Sequence, residues 1–288
     1  MNLKEESNNI MEVIVGPGYI ENPFYLENAA LLLERDGAYE GAEILRRRAL
    51  QLLEENKEKD NIAITNSLTR LGNLLEFKGD FEGAEEFYSK CLELVRNSED
   101  LNEEYTADAL NNLANLMGVN GQLDEAEDLM RESMEIRKKI YGPHDPKVAQ
   151  SLNNLGMILE EKNEIYNAEI NYRKSLEIME KEQGEEHPDT ATSMNNLACL
   201  LVKVWEIEEA EELAKKSLNI MENYFGQDHL ETAETMNNLA IILELKGNIP
   251  EAGKLLHRSL NILEYYLGST HPKTTMAREH WEVLSKEI

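Results

Sequence analysis

Apolar residues in this chain fall at helical rather than strand spacing, and they do so twice within each 42 residues. Leu152, Leu155 and Leu159 form one stripe, at i, i+3 and i+7. Ala168, Tyr172, Leu176 and Met179 form a second, at i, i+4, i+8 and i+11. Such stripes predict amphipathic helices, each with one buried face. The polar stretch Glu161 to Glu164 between them reads as a turn, so the unit is a helix–turn–helix.

The unit recurs. Leu110-Asn111-Asn112-Leu113 returns as Leu152-Asn153-Asn154-Leu155, Met194-Asn195-Asn196-Leu197 and Met236-Asn237-Asn238-Leu239, each step being 42 residues. An alanine comb keeps the same phase at Ala42, Ala84, Ala126, Ala168, Ala210 and Ala252. A comb of small residues does so at Ala30, Gly72, Ala114, Gly156, Ala198 and Ala240. Six units without a slipped residue predict a stack of helix pairs. Small residues are what close helix crossings require, because a larger side chain would push the axes apart. Gly37, Gly79, Gly121 and Gly247 mark the turns inside four units. Asn248 with Glu251 reads as a helix N-cap, and Pro250 falls in a first turn, where its missing N–H costs nothing.

Between units three to six runs a second punctuation: Gly142-Pro143-His144-Asp145-Pro146, Gly184…His187-Pro188, Gly226…His229 and Gly268…His271-Pro272. Glycine ends one helix and proline sets up the next. The joint at Asn97 to Glu104 has neither residue and is less defined. Thr274 to Glu287 reads as a terminal helix covering the end of the stack, with Trp281 at the register where each unit buries a leucine.

The small residue, the alanine twelve positions later and the leucine four positions earlier resemble the tetratricopeptide consensus. A 42-residue period with Gly-x-x-His-Pro-type links is similar to the repeats of kinesin light chains, and the resemblance covers about residues 22–288. It implies an all-α, right-handed α-solenoid of six helix–turn–helix repeats: an N-terminal extension over 1–21, repeats over 22–273 and a capping helix over 274–288. The coiled-coil heptads that kinesin light chains carry ahead of their repeats are missing here, so a motor-subunit role is not expected.

Composition narrows the function classes. The 288 residues are 41% apolar and 30% charged, which excludes an intrinsically disordered chain. A formal charge of −27 repels phosphate backbones and anionic membrane surfaces, so neither nucleic acid nor membrane is an expected partner. Cys91 and Cys199 are too few to staple a chain of this length and fit no metal or redox spacing. The apolar patch Ile10 to Val15 is too short for a signal-peptide core or a bilayer span. A cytoplasmic, soluble protein is expected.

Catalytic chemistry is not evident. His187, His229 and His271 recur at the repeat step, which places them on separate loops too far apart to share a metal, so turn residues are expected. No Ser/His/Asp order, phosphate loop or H-E-x-x-H helix occurs. Pairs such as Glu208-Glu209 and Glu211-Glu212 read as solvated helix faces, and methionines such as Met179 and Met194 as core. No enzyme, cofactor or metal is expected.

The asparagines remain. With Leu110 and Leu113 turned into the stack, Asn111 and Asn112 project to the other side of their helix. In the tetratricopeptide family that side lines a concave groove, and the resemblance implies that such asparagines hydrogen-bond an extended peptide. The candidates are Asn73, Asn111, Asn112, Asn115, Asn153, Asn154, Asn195, Asn196, Asn237 and Asn238, with Glu76, Asp108, Glu160 and Glu234 among them. One asparagine of each pair is expected to bond to the neighbouring repeat instead. The lysines of the family's carboxylate-gripping subtype are replaced by Thr69, Asn111, Asn153, Asn195 and Asn237 and by Asn66, Asp108, Gln150, Thr192 and Glu234. The family's groove positions carry eight acids (Glu27, Glu34, Glu76, Asp108, Glu160, Glu161, Glu234, Glu244) against three cations (Arg35, Arg70, Lys203). Phe77, Val119, Met157, Ile241 and Leu245 lie among them. The expected function is a non-catalytic scaffold or adaptor, a monomer or weak homo-oligomer, binding a basic and apolar peptide. The alternative is a regulatory subunit whose groove holds its own N-terminal segment or a second copy.

Overall fold

The computed structural model describes residues 21–286 together with Ser7, Asn9 to Met11 and Val13. Thirteen helices follow residue 22: α1 (Pro23–Arg35), α2 (Tyr39–Glu55), α3 (Asn61–Lys78), α4 (Phe81–Asn97), α5 (Glu103–Val119), α6 (Leu123–Tyr141), α7 (Pro146–Glu161), α8 (Ile165–Glu182), α9 (Pro188–Lys203), α10 (Ile207–Phe225), α11 (Leu230–Leu245), α12 (Ile249–Leu267) and α13 (Pro272–Leu284). No strand occurs among the described residues. The chain divides into two compact units, residues 1–140 and 141–288. Within each, consecutive helices pack as pairs, α1 with α2 and α3 with α4, then α7 with α8, α9 with α10 and α11 with α12, with α13 against α12. This is the tetratricopeptide-like solenoid arrangement.

Local chemistry sets the helix ends. Side chains of Asn22, Asp60, Asp80, Asn102 and Asp145 accept backbone N–H groups of the first turns they precede. Asn102 thus defines the joint that lacks glycine and proline. The three repeated histidines do the same work: Nδ1 of His187, His229 and His271 accepts from the N–H of Asp189 at 3.2 Å, Glu231 at 3.2 Å and Lys273 at 3.3 Å. Each is an N-cap holding a lone pair toward the helix. Asn248 departs from the expected pattern. It makes no side-chain cap, and its amide donates instead to Glu251 at 2.6 Å.

Inside each pair the turn passes through the left-handed region at one register: Gly37, Gly79, Gly121, Asn163, Trp205 and Gly247. Asparagine tolerates this conformation, but a tryptophan with φ 64° does not relax into it.

The small-residue comb sits where the paired helices cross. A Cβ on Gly72 would lie 2.3 Å from Tyr88 Cε1, and one on Gly156 would lie 2.8 Å from Tyr172 Cε1. Both tyrosines are almost fully buried. The four units with alanine at this register carry Arg46, Met130, Ala214 and Leu256 where these carry tyrosine. A third comb, not evident from hydropathy, stitches the pairs. Buried Ser133, Ser175, Ser217 and Ser259 donate to the carbonyls of Ala107, Ala149, Ala191 and Ala233, each at 2.7 Å.

At the amino end, Met11 is fully buried with Leu26, Ala29, Ala30, Ala42 and Leu45, and Ile10 packs beside it. Val13 is exposed, and residues 14–20 lie outside the described residues. At the other end Thr274, Ala277 and Leu284 face inward, while Trp281 is only half-buried, against His257 at 4.8 Å. The leucine register is therefore not repeated there, because the indole turns onto an imidazole rather than into the core.

Two substitutions test this geometry. Gly72→Ala should lower the unfolding free energy by about 1–3 kcal/mol through overpacking, and a Tyr88→Leu background should remove most of that loss in urea denaturation. An equal cost in both backgrounds would refute the steric account. Trp205→Gly should raise stability by up to about 1.5 kcal/mol in urea denaturation, since relief of roughly 1–2 kcal/mol of left-handed strain is set against glycine's entropic cost of about 0.5–1 kcal/mol.

Candidate functional site

The first helix of each pair carries the candidate residues, and the two units are described in turn.

In the unit spanning residues 1–140, the acids are already answered. Glu27 is 8% exposed and accepts from Arg46 Nη1 at 2.7 Å, Ser67 Oγ at 2.9 Å and Arg70 Nη1 at 3.2 Å. Arg46 also grips both oxygens of Glu34, at 2.7 and 2.9 Å. The Tyr88 hydroxyl lies 2.6 Å from Asn73 Oδ1 and 2.8 Å from Glu76 Oε2, and donates its hydrogen between them. Asp108 accepts from Arg137 at 2.8 Å. Asn111 Nδ2 lies 3.5 Å from Asn112 Oδ1, at the edge of hydrogen-bond range, and Asn115 is half-buried. Leu31, Tyr39, Leu74 and Phe77, with Arg70 and Asn73, line a cleft of about 410 Å³. Its walls are apolar, and Tyr39 and Phe77 touch with ring centroids 4.9 Å apart.

In the unit spanning residues 141–288, Glu160 accepts from Lys203 Nζ at 2.7 Å and from the Tyr172 hydroxyl at 2.9 Å. Glu234 pairs with Lys273, and Glu244 with His280. Asn153 is 8% exposed and accepts from Asn196 Nδ2 at 3.1 Å, so these two tie α7 to α9. Asn154 is half-buried. Asn195 and Asn237 are half-buried, but the Oδ1 atom of each is shut from solvent with no hydrogen-bond partner. A cleft of about 290 Å³ opens beside Asn237 and Asn238, walled by Ile241, Leu263 and Met276. Met157, Ile241 and Leu245 are exposed.

Burial and neighbouring charge shift several of the paired groups. Burial, reinforced by Glu76 and Glu160, raises the Tyr88 and Tyr172 phenols far above the usual tyrosine range. The Lys203 ammonium is raised by its bond to Glu160. Burial, aided by Glu160, pushes the Cys199 thiol up to about 11, and burial raises Cys91 also. Both thiols stay protonated at neutral pH and are poor nucleophiles.

The count of eight acids against three cations is therefore revised. Arg46 and Arg137 in the first unit, and Lys273 and His280 in the second, come from other helices and answer Glu27, Glu34, Asp108, Glu234 and Glu244. Glu161 is the acid of the eight that keeps no such partner among the described residues. A constant offset was the available signal. Glu34, Glu76 and Glu160 each have a donor twelve residues on, at Arg46, Tyr88 and Tyr172. Where that register is Met130 or Ala214, the first helix carries Gly118 or Val202 instead of an acid.

The tetratricopeptide repeat family model matches residues 23–97, 105–165, 153–204 and 206–265. No curated protein matches the chain. Among solved structures, BtubC (BKLC) from P. vanneervenii is 23% identical, with TM-score 0.64, over 82% of this chain and 94% of that one. A Podosopora anserina putative kinesin light chain with nearly identical TPR-like repeats is 21% identical, with TM-score 0.54, over 69% and 94%. A Rap protein complexed with Competence and Sporulation Factor is 13% identical, with TM-score 0.65, over 97% and 78%. At these identities the likeness is one of fold. No described helix is long and apolar enough to cross a membrane.

The pairing predicts unequal costs. Glu27→Gln removes the buried charge that Arg46 and Arg70 share and leaves Arg46 paired with Glu34 alone, so it should cost about 1–3 kcal/mol in chemical denaturation. Glu234→Gln, whose partner Lys273 is exposed, should cost no more than about 1 kcal/mol.

Proposed function

Because the chain belongs to the tetratricopeptide repeat family, whose repeats typically serve as non-catalytic scaffolds, we propose that it binds another protein through a peptide segment laid across its first helices. The observation that carries this reading is the pair of orphaned amide oxygens, Asn195 Oδ1 and Asn237 Oδ1, one repeat apart. A buried acceptor without a donor costs about 1–3 kcal/mol, and an amide turned toward a peptide N–H recovers it. Exposed Ile241, in the cleft with Asn237, supplies apolar contact, and Met157 and Leu245 on other turns of the first helices are exposed as well. The binding of a factor by a Rap protein of similar fold supports the same class of role.

The ligand is an extended or helical peptide with apolar and some basic residues. Since most acids on this face are paired internally, positive charge on the ligand acts mainly through the −27 field of the whole chain, by steering encounter. Asn195 and Asn237 face ligand in this reading, while Asn153 and Asn196 hold neighbouring repeats together. The protein works in the cytoplasm without metal or cofactor, as a monomer or weak homo-oligomer. Its repeats occupy 22–273, between an extension and a capping helix. With Met11 seated in the core of the first helix pair, the reading does not need the N-terminal segment as an internal ligand.

A peptide-display screen at low salt should enrich sequences mixing leucine-like and basic residues. Binding should weaken as salt rises beyond the roughly 8 Å screening length of physiological buffer. Asn195→Ala with Asn237→Ala should reduce affinity at least tenfold without lowering the melting temperature, whereas Asn153→Ala should lower it. Enrichment of acidic peptides, or unchanged affinity in the double variant, would overturn the proposal.

A further inference from the structure

The last two repeats carry aromatic side chains that the fold does not ask for. Tyr224 and Phe225 close α10, and Tyr265 and Tyr266 stand in the last turn of α12. In α8, the corresponding helix of the repeat ahead of both, the same registers hold Lys181, Glu182 and Gln183, so a helix of this family ends there equally well with polar residues. Tyr265 is 83% exposed and Tyr224 63%. Large exposed aromatics in mutual contact mark interaction surfaces.

Their arrangement is specific. Tyr224 and Phe225 meet edge to face, with centroids 4.8 Å apart at 76°, and so do Tyr265 and Tyr266, at 5.0 Å and 87°. His229 lies between the two pairs, stacked on Phe225 at 4.6 Å and tilted toward Tyr266 at 6.3 Å. Its Nδ1 cap of α11 locks the ring in that position. A cleft of about 440 Å³ runs beside the tyrosines, lined by Asp228, Arg258, Asn261, Ile262, Tyr265 and Tyr266. Arg258 is occupied as a brace, bonding Glu222 and the carbonyl of Gln227. The Asp228 side chain stands 88% exposed at the mouth, 3.5 Å from Arg258.

We propose that this edge is a docking surface for a proline-rich segment of a partner protein, held in polyproline II conformation with a basic residue at its flank. Perpendicular ring pairs form notches rather than one open flat face. A compact pyrrolidine ring fills such a notch, and an aromatic-lined groove is the known physical match for this helix. The segment is already ordered before binding, so little entropy is lost on docking. Asp228 supplies the charge complement for an arginine or lysine beside the prolines. The surface is separate from the first-helix asparagines and stands or falls independently of them.

The test uses the intact chain and a fluorescein-labelled dodecapeptide with two Leu-Pro dipeptides three residues apart and a flanking arginine. Fluorescence anisotropy should show saturable binding, weakened at least tenfold when both prolines become alanine. Tyr265→Lys with Tyr266→Glu, the residues of the preceding repeat but one at those registers, should weaken it at least tenfold with unchanged melting temperature. Asp228→Asn should weaken the arginine peptide about threefold and leave an Arg→Leu peptide unaffected. Equal binding of the alanine peptide, or no binding at millimolar protein, overturns the proposal. So does binding that survives the tyrosine exchange but is lost in Asn195→Ala, which would move the peptide to the first helices. A dimer in sedimentation velocity that the exchange dissolves would assign the patch to a second copy and also overturn it.

Discussion

Everything else in this molecule depends on how closely the two helices of a pair can cross. At Gly72 and Gly156 there is no room for a methyl group, because a tyrosine ring from the second helix occupies the crossing. The ring fills the core, and its hydroxyl passes through to the opposite face, where it meets Glu76 or Glu160. One residue thus sets the closeness of the crossing and the position of a carboxylate on the far side. The other pairs carry alanine at the crossing and a different partner. The period therefore survives while the side chains that emerge on the face differ from repeat to repeat.

That coupling changes what the acidic face can do. Read as a list, its carboxylates describe an anionic groove. In three dimensions, Glu27 and Glu34 are the counter-ions of a buried arginine, and Glu234 and Glu244 are tied to the terminal helix. Charges spent in this way cost desolvation and hold helices in register. What remains open to a ligand is amide and apolar surface, with the overall negative field acting at a distance.

The repeats also serve as controls for one another. The turn register shows five residues suited to a left-handed backbone and one, Trp205, that is not. It is 76% exposed, so packing offers no compensation for the strain. The aromatic residues ending α10 and α12 stand at registers where α8, in the pair ahead of both, manages with Lys181, Glu182 and Gln183. In a repeat protein a departure from the common pattern cannot be attributed to the demands of the fold, because the fold is satisfied without it several times over.

The sequence by itself determined the helix pairs, their 42-residue period, the crossing residues and the turns, because each follows from spacing and backbone preference within a few residues. It also placed the candidate asparagines on one face, since helical periodicity fixes direction. It could not assign their partners. Asn153 and Asn196 are 43 residues apart, and Asn195 looks like Asn153 in the sequence although one keeps an orphaned oxygen and the other is bonded. Nor could it show that Arg46 neutralises two acids, or that His229 joins two aromatic pairs. Those outcomes rest on distances between different helices, and a side chain's charge or amide is available to a ligand only if no neighbouring helix has already used it.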